Sequence, residues 1–182
     1  MRITGGSARG QILKVPKDIR PTTDRTREAI FSILGSLGSG EWSNVLDLFA
    51  GTGALGIESL SRGANWVDFI EKEPRCCDII KQNLQRMGFS EAGHVYCRQV
   101  LKELENLNRQ YDLIFLDPPY ADKSLETIVD KIGNSDMISV NSLVVLSHSS
   151  RINIADSYGK LILIKSKRHG DTTISIYKTE AN

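Results

Sequence analysis

Asp117-Pro118-Pro119-Tyr120 follows directly on the apolar run Leu113-Ile114-Phe115-Leu116. A carboxylate, a stiff backbone and an aromatic ring therefore meet where a buried strand should end. Pro118 drives Asp117 out of the helical region and removes a donor, and Pro119 prolongs the rigid segment. A bend fixed in this way can aim the Asp117 carboxylate and a main-chain carbonyl at one target. The target that suits them is a flat amine whose lone pair is delocalised into a ring, such as the exocyclic amine of a nucleobase. Two acceptors on its N–H groups draw the nitrogen toward tetrahedral geometry and expose the lone pair. Tyr120 can hold the ring by stacking, worth ~1–3 kcal/mol. Positioning then supplies much of the rate, and a base held in a stack must first be extruded.

A second constellation precedes this one. Asp47-Leu48-Phe49-Ala50-Gly51-Thr52-Gly53-Ala54-Leu55-Gly56 contains G-x-G-x-x-G at Gly51, Gly53 and Gly56, and Glu71 lies 20 residues past Gly51. The pattern fits a dinucleotide turn with an acidic residue on the ribose hydroxyls. Ligand charge separates the candidates. A pyrophosphate would meet the carboxylate of Asp47 at a cost on the order of a kcal/mol. S-adenosyl-L-methionine carries an ammonium and a sulfonium instead, and its carboxylate can meet backbone amides at a helix start. Asp47 is expected to receive the ammonium, the glycines to let the backbone approach the ligand, and Glu71 to accept from the ribose. Gln99 sits where a residue could face adenine, accepting from its amine and donating to a ring nitrogen.

These residues need a frame, and the hydrophobic pattern supplies one. Residues 2–15 alternate loosely around Gly5, Gly6 and Gly10, which predicts an N-terminal β-hairpin arm. A helix is expected over Thr22–Leu34, with Ala29, Ile30, Ile33 and Leu34 as one apolar stripe. Strands are expected at Val45–Ala50, Trp66–Lys72, His94–Arg98, Tyr111–Asp117 and Ser142–Ser147. Helices are expected at Ala54–Ser61, Pro74–Met87, after the third strand, and at Ser124–Ile132. Unbroken apolar strands point to a parallel sheet covered on both faces. Lys160–Lys165 and Thr172–Tyr177, joined by a turn over Ser166–Asp171, predict a terminal antiparallel hairpin. The fold class is α/β, a doubly wound, mostly parallel, seven-stranded Rossmann-like sheet with one reversed edge strand. One domain, residues 1–182, is expected, with residues 1–20 as arm and 21–182 as catalytic core.

Composition narrows the setting. Of the 182 residues, 40% are hydrophobic and 25% charged, as in ordinary soluble domains. No apolar run is long enough to span a bilayer and no signal-peptide pattern begins the chain, so a cytoplasmic location without membrane contact is expected. Cys76, Cys77 and Cys97 form no Cys-x-x-Cys spacing, which argues for packing thiols and no metal. Net charge is only +1, but residues 1–27 hold seven basic residues against two acidic ones. That segment carries +5 and leaves −4 for the rest. A basic edge on a mildly acidic body fits a phosphate backbone. Arg2, Arg9, Arg20, Arg25 and Arg27, with Lys167, Arg168 and His169, are the candidate RNA contacts.

Taken together, Met1 to Gly6 with Arg9-Gly10, the segment Arg20-Pro21-Thr22-Thr23-Asp24-Arg25-Thr26-Arg27-Glu28-Ala29, the run Val45–Gly56, Glu71-Lys72, Asp117–Tyr120 and the tail Gly170-Asp171-Thr172 resemble the RsmD family. The resemblance implies transfer of a methyl group from S-adenosyl-L-methionine to the exocyclic N2 amine of a guanine in bacterial small-subunit ribosomal RNA. It implies a class I methyltransferase fold, an assembling ribosomal particle as substrate, and Asp117, Pro118, Pro119 and Tyr120 as the catalytic corner. It places Asp47, Phe49, Gly51, Gly53, Glu71, Lys72, Gln99 and Asp117 around the cofactor, in a chain expected to act as a monomer. Two positions depart from the family pattern, Gln99 and Ser147 standing where acidic residues are usual. Three other readings fit parts of the pattern: a DNA adenine or cytosine amino-methyltransferase, a nicotinamide oxidoreductase, and a non-catalytic RNA-binding assembly factor. The first lacks room for a separate target-recognition domain.

Overall fold

The computed structural model describes residues 1–16, 22–38, 41–120 and 122–180. After helix α1 (Asp24–Ser36), strands and helices alternate. They are β1 (Asn44–Leu48), α2 (Ala54–Ser61), β2 (Trp66–Glu71), α3 (Pro74–Arg86), β3 (Gly93–Cys97), α4 (Val100–Glu103), β4 (Tyr111–Leu116), α5 (Leu125–Gly133) and β5 (Ile138–Ser149). The chain closes with β6 (Ser157–Tyr158), β7 (Leu161–His169) and β8 (Thr172–Thr179). All strands join one sheet in the order β3-β2-β1-β4-β5-β8-β7-β6. The first five are parallel. The strand order reverses at β1, which opens a crevice at the carboxyl ends of β1 and β4.

β5 starts at Ile138, earlier than the expected Ser142, and three further details differ from the pattern-based expectation. The sheet has eight strands rather than seven, because β6 adds a two-residue pairing of Ser157 and Tyr158 with Ile162 and Leu161. Two residues carry no readable period. The reversed strand is internal: β8 runs antiparallel between β5 and β7. Finally, β7 continues through Ser166–His169, paired with β8 up to His169 opposite Thr172, so the turn shrinks to Gly170 and Asp171. Gly170 has a φ of 62°, a value glycine adopts freely. Ser166, Lys167 and Arg168 are exposed, so this end of β7 has no apolar face to announce a strand.

Alternation along each central strand divides the core. Val45, Val67, Phe69, Leu113, Phe115 and Val145 pack under α1, α2 and α3. Leu46, Leu48, Ile70, Ile114, Leu116 and Val144 pack under α4 and α5. This is the two-sided burial that the apolar runs require. Helix α1 starts at Asp24 because the Thr23 hydroxyl accepts from the Thr26 amide at 3.2 Å and caps the first turn. Its Phe31 meets Phe115 at 5.8 Å between ring centroids. Helix α3 opens on Pro74, whose missing N–H costs nothing there.

The N-terminal hairpin is present and docked. Arg2 bridges Ile12, and the Leu13 amide donates to the Met1 carbonyl at 3.1 Å. Ile3, Ala8 and Leu13 are buried in the core. Buried Glu58 of α2 accepts from the amides of Thr4 (2.9 Å) and Gly5 (2.8 Å) and from the Thr4 hydroxyl (2.6 Å). Asn83 of α3 accepts from the Lys14 amide at 2.8 Å and donates to the Lys14 carbonyl at 3.1 Å. Residues 4–14 are therefore clamped along α2 and α3.

Candidate active site

The turn after β1 is held open by its neighbours. Phe49 has a φ of 60°, uncommon for a bulky residue and frequent where backbone strain serves a site. Gly51 (φ 56°) and Gly53 (φ 76°) continue the turn. Glu71, at the end of β2, closes it. Its Oε2 accepts from the Gly51 amide at 2.8 Å, and its Oε1 from the Glu73 amide at 2.9 Å. Gly53 begins α2 without a side-chain cap. Asp47 supplies the missing acceptor, taking the Gly56 amide on Oδ2 at 2.9 Å. A carboxylate under a helix start is favourable, but burial pushes the Asp47 pKa well above the usual range. The Gly56 bond opposes that shift and the nearby Asp117 and Glu71 carboxylates add to it.

Above the turn lies a cleft of about 730 Å³ along the carboxyl ends of β1, β2 and β4, a size typical of small-molecule sites. Phe49, Gly51, Glu71, Lys72 and Gln99 line it, and so do Asp117, Pro118, Pro119 and Tyr120. Two motifs nearly 70 residues apart in sequence thus face one space. Ile70, Val100 and Ile128 give it an apolar wall. Gln99 is the residue before α4, with an extended backbone. Cys76 and Arg98 also border the cleft, and neither belongs to a motif that would have marked it.

Two expected ligand contacts are corrected. Asp47 does not line the cleft. It shares the parity of Val45 in β1, so its side chain points toward α2, where the Gly56 amide holds it. Gly53 does not line the cleft either. A Cβ there would meet Ile80 at 3.1 Å and Ile57 at 3.3 Å, so Gly53 serves helix packing and the turn. Of the first two motif glycines only Gly51 borders the ligand space.

At the Asp117–Tyr120 corner, half-buried Asp117 accepts on Oδ2 from the Thr22 hydroxyl, which lies just ahead of α1. Buried Ser147 of β5 stands beside it, one ladder step past the Leu116–Leu146 pair. Burial raises the Asp117 pKa, and the Thr22 and Ser147 hydroxyls pull it part of the way back. Tyr120 is 47% exposed at the cleft mouth, where its hydroxyl pairs with that of Thr172 on β8. Beside Ser147, buried His148 pairs through Nε2 with the Ser175 hydroxyl at 3.0 Å, and burial lowers its pKa. Thr22, Ser147 and Thr172 come from three separate elements. Only the fold brings them to Asp117 and Tyr120.

The candidate RNA contacts separate into groups. Arg2, Arg9, Arg25 and Arg168 are exposed, and Arg168 donates through Nε to the Gly170 carbonyl at 2.8 Å. Arg20 lies outside the described residues. Arg27 is corrected: it is fully buried and cannot reach a phosphate. Its Nε lies 3.6 Å from Glu58 Oε2, its Nη2 3.0 Å from Asp24 Oδ1 and its Nη1 3.4 Å from the Thr22 carbonyl. Helical spacing turns it inward with Ile30 and Leu34, toward the only acid on the facing side of α2. Among the described residues no cluster of three or more His, Cys, Asp or Glu could hold a metal ion. No described helix is long and apolar enough to cross a membrane.

The family model described as Conserved hypothetical protein 95 matches residues 1–178. The putative rRNA methyltransferase YlbH of Bacillus subtilis is 32% identical over 183 residues, covering 98% of each chain. Ribosomal RNA small subunit methyltransferase D of Escherichia coli is 29% identical over 183 residues, covering 100% of this chain and 91% of the relative. Among solved structures, the putative methyltransferase yhhF from Escherichia coli matches with a TM-score of 0.88 at 27% identity, covering 100% of this chain and 99% of the other.

Proposed function

The chain belongs to the Conserved hypothetical protein 95 family, the RsmD methyltransferases, and on that premise we propose that it methylates the exocyclic N2 amine of a guanine in bacterial small-subunit ribosomal RNA, with S-adenosyl-L-methionine as donor. The observation that carries the reading is the convergence of Asp117-Pro118-Pro119-Tyr120 and the Gly51–Glu71 turn on one cleft. The residues present fit the donor. Each Glu71 oxygen takes one backbone amide and keeps a lone pair for a ribose hydroxyl. Gly51 offers open space, since a Cβ there would find nothing nearer than the Phe49 carbonyl oxygen at 4.0 Å. Gln99 supplies an amide for adenine beside the apolar surface of Ile70 and Val100. Lys72 and Phe49 border the same space.

When bound, S-adenosyl-L-methionine supplies a methyl group on a cationic sulfur. The chain's own contribution is placement. Asp117 accepts one N–H of the guanine amine, and the rigid Pro118-Pro119 segment fixes the direction of that bond. Tyr120 stacks on the base at the cleft mouth. Exposed Arg2, Arg9, Arg25 and Arg168 hold phosphates. The alkylated amine is acidic enough to lose its proton without a strong base. The substrate is a ribosomal particle under assembly.

Mass spectrometry of ribosomal RNA nucleosides from cells with and without the gene tests the reading, and a guanine methylated at N2 should vanish with the gene. In vitro, labelled methyl should enter undermethylated small-subunit particles and not DNA. Asp117→Ala should lose about 100-fold or more in transfer while binding S-adenosyl-L-methionine within about threefold of the parent. Full activity in Asp117→Ala, or transfer to DNA alone, would refute it.

A further inference from the structure

Asp117 is flanked from two sides by hydroxyl side chains outside the Asp117–Tyr120 motif. On one side β4 and β5 are parallel neighbours with Leu116 opposite Leu146. The next step of the ladder sets Asp117 beside Ser147, which is buried at 2% exposure. On the other side Thr22 reaches across from the start of α1 and donates its hydroxyl proton to Asp117 Oδ2. The Thr22 carbonyl is itself held by Arg27, which buried Glu58 fixes in turn. Among the described residues the charged and titratable groups around this corner include the carboxylates of Asp47 on β1, Glu71 at the end of β2 and Glu73 just past it, Asp122 beyond the corner, His148 on β5, and the cleft-lining cations Lys72 and Arg98. Among the described residues none of these cations forms an ion pair with Asp117.

We propose that Thr22 and Ser147 are positioning residues that hold Asp117 as an ionised acceptor for the substrate amine. The proposal rests on the methyl-transfer reading above and specifies how its central residue is kept competent. An ionised carboxylate offers about four lone-pair sites. The Thr22 hydroxyl occupies one of them, and the neighbouring Ser147 hydroxyl can take a second, which leaves two for amine hydrogens. Hydroxyl donors stabilise the charged form against burial. A protonated Asp117 would turn a donor toward the amine and lose its grip. The two donors come from opposite sides, a strand neighbour and a helix-start residue, so they fix the carboxylate plane as well as its charge. Arg27 thereby serves the chemistry without touching RNA, by anchoring the main chain that carries the Thr22 hydroxyl.

The test uses the full chain with Thr22→Val, Ser147→Ala and the double variant, alongside the hydroxyl-keeping Thr22→Ser and Ser147→Thr. One readout is the titration of the Asp117 carboxyl by carbon-13 NMR on the protein alone, assigned with Asp117→Asn. The other is single-turnover methyl transfer to undermethylated particles, from about pH 5.5 to about pH 8.5. Each lost hydroxyl should raise the Asp117 titration by about one pH unit, and the acid limb of the rate should move with it. Transfer should fall most at the acid end of that range and recover toward about pH 8.5. KM and the Kd for S-adenosyl-L-methionine should stay within about twofold. The hydroxyl-keeping variants should restore the parent profile. An unmoved carboxyl titration in the double variant would overturn the proposal. So would faster transfer by Thr22→Val at every pH, which would mean that Thr22 blocks the amine's place. A parent chain that transfers no methyl would instead refute the functional reading, while the carboxyl titration would still decide the clamp.

Discussion

Arg27→Ala should destabilise the protein and leave the electrostatics of RNA binding untouched. The Arg27 and Glu58 side chains are both 0% exposed and 3.6 Å apart. Removing one member of a buried pair leaves the other charge uncompensated, at about 3–5 kcal/mol. Glu58 would keep Arg62, whose Nε lies 3.0 Å from Oε1 and whose side chain is 30% exposed, and the amides of Thr4 and Gly5. The lower end therefore applies, about 3 kcal/mol. At about 2–4 °C per kcal/mol for a domain of this size, Tm should fall by about 6–12 °C. Urea unfolding with an unchanged slope provides the second measurement. Arg25 is the matched control, since it lies two residues away and is exposed. Arg25→Ala should leave Tm within about 1 °C and reduce the slope of log affinity against log salt by about 0.7–0.9. A near-native Tm for Arg27→Ala, together with a slope reduced as far as that of Arg25→Ala, would return Arg27 to the phosphate backbone and break the argument from burial.

Asp47→Asn should keep the Gly56 bond through the amide oxygen and remove a buried charge. The native Asp47 pKa is raised, so between the unfolded and folded values the native state holds the extra proton, and wild-type stability falls as pH rises through that window. The gain from Asp47→Asn should thus grow with pH and disappear toward about pH 4, and a variant less stable than wild type at neutral pH would contradict the role assigned to burial. Gly56→Ala and Gly51→Ala should separate packing from binding. At Gly56 a Cβ would lie 2.3 Å from Phe69 Cε1 and 2.8 Å from Val67 Cγ1, which should cost about 1–3 kcal/mol in denaturant titrations. At Gly51 the cost should appear mainly as weaker binding of S-adenosyl-L-methionine by calorimetry, and equal effects of the two variants in both assays would be inconsistent with their different surroundings.

The parallel core was legible because β1, β2, β4 and the centre of β5 are short, largely apolar blocks. α2 is read to the residue, Ala54–Ser61, from the glycine pair before it and Arg62-Gly63 after it. The cleft was legible for the same reason. Glycine turn, acidic strand end and Pro-Pro corner all follow from position at carboxyl ends of neighbouring strands. What escaped is what depends on side-chain direction. Asp47 and Glu71 look alike in the sequence, but strand parity sends the first under α2, while the second ends its strand and closes the turn at the cleft. Arg27 looks like Arg25 until helical periodicity is carried through to Glu58, a charge hidden in the apolar helix α2. Thr22 and Ser147 lie 125 positions apart, and nothing local in either stretch refers to Asp117. The polar end of β7 pairs with β8 through its backbone and a Ser166–Ser175 hydroxyl contact, with no apolar side chains, so no alternation betrays it.

The remaining question is why three carboxylates gather at one end of the sheet. Asp117 and Glu71 each act on Asp47 and favour its protonated form. Each is held by separate neutral donors: the Gly56 amide for Asp47, the Gly51 and Glu73 amides for Glu71, and two hydroxyls for Asp117. These donors are neutral, so the three carboxyl groups keep their acidic character beside a cleft that Lys72 and Arg98 also line. A ligand bearing a pyrophosphate would add to the repulsion, which grows as water leaves the site. A ligand bearing cationic sulfur and nitrogen relieves it. The same glycine turn that serves dinucleotides elsewhere is thus biased here by the acids around it. The bias does not require any one of them to touch the cation. Asp47 can act from beneath the turn, through a distance at which a partly buried charge is screened little. This reconciles its displacement from the cleft with the charge argument that first singled it out.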